Sequence, residues 1–190
     1  MSEIYFVRHG DTKLNIQGRI RGNANVPLTP EGVKEIRKVA QELAKEDPKP
    51  SLIFSDDMKR THESAEILAT NLRIKVHVMS GLRAWNLGDL TGQKESAVRS
   101  QIHDLVKNYD KPAPGGEAYK TFLIRFYRAL KQILDSVEKN KATVIVMGHG
   151  TTSRAVLALF GKSANGNLDP VDSGEMLELE LKDHLWRLES

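Results

Sequence analysis

Ile4-Tyr5-Phe6-Val7-Arg8-His9-Gly10 begins as a short apolar run and ends abruptly on a cation, an imidazole and a glycine. A run this short and this apolar predicts a strand buried on both faces, the environment of a parallel sheet covered by helices. The stretch Val144-Ile145-Val146-Met147-Gly148-His149-Gly150 repeats the arrangement near the other end of the chain. If the two strands lie side by side, both imidazoles open onto one pocket.

Working outward, β-type runs at 4–7, 52–54, 75–79 and 143–147 alternate with longer helical patterns. That alternation predicts an α/β fold, a three-layer α/β/α arrangement with a mainly parallel sheet. Thr29-Pro30-Glu31 reads as a helix start, with a capping hydroxyl, a proline at the first position and an acid at the positive end. Val33, Ile36, Ala40 and Leu43 give that helix one packing face. Helices are also predicted over 57–72, over 117–138 and just after Gly150. In the second of these, Phe122, Phe126, Leu130, Ile133 and Val137 recur at helical spacing and form a core stripe. Segments 176–181 and 185–188 predict a hairpin, and Pro112-Ala113-Pro114-Gly115-Gly116 a loop.

The 190 residues suit a single catalytic domain over residues 1–190, with no internal repeat or change of composition. A net charge of +3 is too small to imply a nucleic-acid or membrane partner. The absence of cysteine removes disulfides, thiolate metal sites and thiol nucleophiles. Met1-Ser2-Glu3 leads straight into the first strand without a charged leader, so the expected setting is cytoplasmic.

In open α/β sheets, ligands collect at the carboxyl ends of the strands, where both histidine motifs stand. Arg8-His9-Gly10-Asp11-Thr12, with Asn15 following, resembles the signature of the histidine phosphatase superfamily, the phosphoglycerate mutase-like proteins of its branch 1 type. Three more segments resemble that family in the same order: Pro27-Leu28-Thr29-Pro30-Glu31-Gly32, Ser55-Asp56-Asp57-Met58-Lys59-Arg60 and Met147-Gly148-His149-Gly150. The resemblance implies a hydrolase, a metal-independent phosphatase acting on a small phosphorylated metabolite and needing no cofactor. His9 would attack phosphorus and form a phosphohistidine that water then hydrolyses. Arg8 and Arg60 would clamp phosphoryl oxygens, a task suited to a planar guanidinium fork. His149 would donate to those oxygens as charge grows on them. Gly10, Thr12, Asn15 and Gly150, with amides of Thr151 and Thr152, would complete the phosphate site. His62, His77, His103 and His184 show no ligand spacing and read as structural.

Two positions depart from the family pattern. In Leu82-Arg83-Ala84-Trp85-Asn86-Leu87-Gly88-Asp89, the family's proton-donating glutamate is replaced by Ala84. Glu117 is the first candidate for a substitute acid, ahead of Asp89 and Asp57. Otherwise the substrate carries an activated leaving group, or the protein is a pseudophosphatase that binds phosphorylated ligands without turnover. Arg21, with Arg19 close by, stands where phosphatase members have glutamine and implies a second anionic group on the substrate. A phosphoglycerate mutase-type transfer is the other enzymatic alternative. The modest connection between Gly92 and Glu117 favours hydrolysis over that transfer, because family mutases use larger insertions to exclude water. The sequence leaves the substrate and the oligomeric state open.

Overall fold

The computed structural model describes residues 2–160, 171–182 and 185–188. Six strands form one sheet: β1 (Glu3–Arg8), β2 (Leu52–Ser55), β3 (Lys75–Val78), β4 (Thr143–Gly148), β5 (Met176–Lys182) and β6 (Leu185–Leu188). Their spatial order is β3-β2-β4-β1-β5-β6. The first four are parallel to one another, and β5 and β6 add an antiparallel edge beside β1. The expected hairpin is therefore present, although residues 183 and 184, where its turn and His184 fall, lie outside the described residues.

Helices cover both faces. They are α1 (Lys13–Ile16), α2 (Pro30–Leu43), α3 (Lys59–Leu72), α4 (Glu95–Lys107), α5 (Tyr119–Asn140) and α6 (Gly150–Phe160). Strand pleating divides the core between them. Ile4, Phe6, Val144 and Val146 face one way, into a cluster with Phe122, Phe126, Leu130 and Ile133 of α5. Tyr5, Val7, Ile145 and Met147 face the other way, against Ile36, Val39, Ala40 and Leu43 of α2 and Ala65 and Leu68 of α3. Phe122 and Phe126 are fully buried, so truncating either to alanine is worth roughly 3–5 kcal/mol.

Thr29 caps α2 through a hydrogen bond from the Gly32 amide, with Pro30 in the first turn as its chemistry requires. The inner face of α2 uses Val39 where the sequence suggested Val33, which is only half-buried. Helix α3 starts two residues later than the apolar pattern suggested, because Asp56 accepts the Met58 amide (2.7 Å) and holds the chain extended there. Among the described residues, no helix is long and apolar enough to cross a membrane.

Register decides the position of the site. Arg8 pairs with Gly148 at the ends of β1 and β4, so the next residues, His9 and His149, leave the sheet side by side. The His9 amide donates to the Gly148 carbonyl (3.1 Å), continuing the ladder by one bond.

Candidate active site

At these strand ends the His9 and His149 rings lie edge to face with centroids 5.2 Å apart, both almost fully buried. His9 Nδ1 lies 2.8 Å from the Gly10 carbonyl, which can only accept, so Nδ1 carries the proton. Nε2 then bears the lone pair, and the Arg60 Nε–H donates to it at 3.2 Å. Burial, with the Arg60 guanidinium and His149 beside it, holds His9 well below the usual imidazole range. The ring is a neutral base whose lone pair faces Arg60.

Arg60 leaves the first turn of α3 and is buried, its pKa pulled down by burial to about 10 and so still charged at neutral pH. Its Nη1 donates to the Ala24 carbonyl (2.8 Å), and Nη2 donates to the Gly22 carbonyl (2.9 Å) and faces His149 Nδ1 (3.2 Å). Ser64, one turn further along α3, accepts the Gly10 amide at 3.3 Å and so ties the first motif to the helix that carries Arg60. Arg8 donates to the Val171 carbonyl through Nη1. Its Nε is buried and has no partner among the described residues. A buried donor left open at the edge of a cleft is costly unless a ligand meets it.

Sequence reasoning did not single out the residue behind His149. Asp56, at the exit of β2, accepts from His149 Nε2 at 2.6 Å and from the Thr61 hydroxyl at 2.5 Å. Burial pushes the Asp56 carboxyl up, but the adjacent His149 and the hydrogen bonds from His149, Thr61 and Met58 hold it below the usual range. The carboxylate fixes His149 with Nε2 protonated and Nδ1 turned to the cleft. Burial keeps His149 below its ordinary value against the pull of Asp56. An incoming phosphate dianion would act in the same direction as Asp56 and favour the doubly protonated ring. The available signal was position: Asp56 follows β2 as His9 follows β1, and β2 adjoins β4.

These side chains open into a cleft of about 970 Å³ lined by Arg8, His9, Arg60 and His149. The profile of the histidine phosphatase superfamily (branch 1) matches residues 4–190. The chain belongs to that superfamily. It is 32% identical to phosphoglycerate mutase-like protein 4 of Arabidopsis thaliana over 162 residues, covering 82% of this chain and 69% of that protein. It is 30% identical to the metal-independent phosphoserine phosphatase of Arabidopsis thaliana over 200 residues, covering 100% of this chain and 81% of the relative. Its fold matches that of mycobacterial glucosyl-3-phosphoglycerate phosphatase with a TM-score of 0.80, at 23% identity and over 100% and 98% of the two chains.

Not every residue singled out in this superfamily member reaches the cleft. Asn15, Arg21, Gly150 and Thr151 line it. Thr12 does not: it is buried, caps α1 and donates to Asn15 Oδ1 at 2.6 Å, so it orients Asn15 from behind. Gly10 is needed for packing instead of ligand approach, since a Cβ there would lie 2.3 Å from the Gly32 carbonyl oxygen. At Gly150 a Cβ would meet the Arg8 guanidinium at 3.4 Å, an ordinary contact, so no close approach requires glycine there. Arg19 is spent on the Gly92 carbonyl (2.7 Å) and adds nothing to the mouth. His103, read as structural, lies on the cleft wall on α4.

Ala84 does line the cleft, so the family's acid position faces the site and carries a methyl group. Glu117 does not take over. Its Oε1 accepts from the Asn86 amide (2.9 Å) and Arg125 Nη2 (2.6 Å), and its Oε2 from Arg125 Nε (3.1 Å). That carboxylate pins the Ala84–Asn86 segment to α5 and is absent from the cleft lining, which corrects its reading as a proton donor. Asp57 pairs with Arg83 at the surface, and neither it nor Asp89 lines the cleft.

Proposed function

We propose that this superfamily member is a metal-independent phosphatase that hydrolyses small phosphorylated metabolites through a phosphohistidine on His9. The observation that carries the reading is the His9 tautomer. With Nδ1–H held by the Gly10 carbonyl, the Nε2 lone pair faces into the cleft beside Arg60. A phosphoryl group entering there exchanges places with the Arg60 Nε–H, which then donates to a phosphoryl oxygen. Arg8 Nε supplies a second donor, Asn15 a third, and His149 Nδ1 a fourth once both its nitrogens are protonated. Four donors around the phosphoryl group oppose the charge that develops on its oxygens as the bond to the leaving group breaks. His9 Nε2 bonds to phosphorus and the leaving oxygen departs with the electron pair. Water then attacks phosphorus, the P–N bond breaks, and its electrons return to Nε2.

Hydrolysis is preferred to mutase transfer because only α4 and a loop stand between Gly92 and Glu117. The name of the metal-independent phosphoserine phosphatase relative supports the same reaction class. The test is hydrolysis of p-nitrophenyl phosphate in EDTA by wild type and His9→Ala. The expected result is turnover that the substitution lowers at least ~10³-fold. Turnover surviving in His9→Ala contradicts the mechanism, as does the absence of turnover in folded wild type; a need for added bisphosphoglycerate points to the mutase.

A further inference from the structure

Arginines outnumber carboxylates in the lining of the cleft, with Arg8, Arg21, Arg60, Arg99 and Arg154 against Asp11, Glu35, Glu95 and Asp172. Ala84 occupies the family's acid position. Two glutamates do line the cleft, and both are engaged: Glu35 Oε2 accepts the Asp11 amide at 2.9 Å, and Glu95 lies 3.9 Å from Arg21 and 4.0 Å from Arg99. Arg21 is largely buried, with its side chain 23% exposed, and Nη1 donates to the Arg19 carbonyl at 3.2 Å. Arg154 projects from α6 one turn beyond Gly150 and lines the same cleft. Arg8 feels both: burial lowers its pKa and Arg21 and Arg154 lower it further, against the opposing pull of Asp172 and Asp11. Burial and Arg154 act on Arg21 in the same direction, and Glu95 and Asp11 offset them in part. Bringing three guanidinium groups together costs free energy that an anion lying among them returns.

We infer that Arg21 and Arg154 form a second anion subsite for the leaving group, and that the substrates are phosphoric anhydrides. In such compounds the transferred phosphoryl group is bonded through oxygen to a further phosphate. The inference rests on the phosphohistidine reading and adds the substrate class to it. The His9 Nε2–P bond forms as the bridging P–O bond breaks, and the electron pair stays on the bridging oxygen. The departing phosphate leaves as an anion held by Arg21 and Arg154, so no carboxylic acid has to protonate it. Water then releases orthophosphate from His9, and its spare proton passes to solvent. An alkyl phosphate gains nothing from the subsite, because its leaving alkoxide demands the proton that Ala84 cannot give.

The experiment compares inorganic pyrophosphate, p-nitrophenyl phosphate and glycerol 2-phosphate in EDTA, for wild type and the Arg21→Gln/Arg154→Gln double variant. Expected in wild type is a preference for pyrophosphate, with glycerol 2-phosphate at least ~10²-fold behind p-nitrophenyl phosphate in kcat/KM. In the double variant the ratio of kcat/KM for pyrophosphate to that for p-nitrophenyl phosphate should drop by about 10- to 10²-fold. A change in ratio of less than about twofold overturns the inference. So does rapid turnover of glycerol 2-phosphate that Glu35→Gln or Asp11→Asn abolishes, since that would reveal a carboxylic acid donor. A binding readout separates this failure from failure of the phosphohistidine itself. By calorimetry, non-hydrolysable imidodiphosphate should bind wild type about tenfold more tightly than orthophosphate and lose that advantage in the double variant. Equal affinity for the two ligands in wild type overturns the subsite whether or not any substrate is turned over.

Discussion

The two walls of the cleft are built differently. The strand-end wall sets Arg8, His9, Arg60 and His149 on the exits of β1 and β4 and the first turn of α3, all nearly inaccessible and tied together through Asp56, Ser64 and backbone carbonyls. The rest of the lining sets Ala84 and Arg21 on two separate loops and His103 and Arg154 on the exposed sides of α4 and α6. The first wall is rigid and its hydrogen bonds are nearly complete, which suits groups that must meet a transition state in one geometry. The second is exposed at His103 and Arg154, and Arg21 meets Glu95 only at 3.9 Å, which suits substrate recognition. On the proposed mechanism, the chemistry and the choice of substrate reside on separate parts of the fold.

The sharpest way to break that contrast is Arg60→Ala. It removes the donor to His9 and the neighbour of His149 together, and should lower kcat/KM for p-nitrophenyl phosphate about 10²–10³-fold by steady-state kinetics. A loss no greater than that of Arg21→Gln would erase the distinction between the walls. Next, Asp56→Asn should lower kcat about 10- to 10²-fold and move the basic limb of its pH profile to lower pH. The sign follows from charge: without the carboxylate, His149 surrenders its proton earlier as pH rises. A uniform fall at every pH would leave Asp56 with a packing role alone.

Glu117→Gln sharpens the comparison from outside the cleft. Activity should stay within about twofold, while urea denaturation shows a loss of about 1–2 kcal/mol from the weakened Arg125 and Asn86 bonds. The smallest effect is expected in stability against pH. His9 and His149 are both held below the ordinary imidazole value, so just below pH ~6.5 the unfolded chain binds more protons than the folded one. Stability therefore falls as pH drops from about 7 through that window, and His9→Asn should flatten the slope. Asp56, held low, contributes stability that is lost only at more acid pH.

The strand-end wall was largely legible in the sequence because its parts are local. An apolar run followed by Arg8-His9 marks both a buried strand and its exit, whereas the parallel pairing with 143–148 that brings His149 alongside was hinted at only by the repeated motif. The capped start of α2 and the α5 stripe were legible for the same reason, since hydroxyl capping and helical spacing act within a few residues. Asp56 escaped because its role exists only across the β2–β4 gap. Glu117 was misjudged because a loop glutamate beside glycines looks free until Arg125, eight residues along α5, is seen to claim it. Gly10 was misjudged because a glycine beside a reactive group invites a ligand-based explanation, whereas the Gly32 backbone already fills the space. Arg154 and His103 could not be placed in the cleft lining without knowing how α4 and α6 turn.

The most direct measurement is mass spectrometry of wild type mixed rapidly with p-nitrophenyl phosphate, quenched under conditions that preserve phosphohistidine and digested. The expected result is one phosphoryl group on the peptide containing His9, appearing before steady state and absent in His9→Ala. A phosphoryl group on another residue, or product formation with no phosphoenzyme at any time, would contradict it.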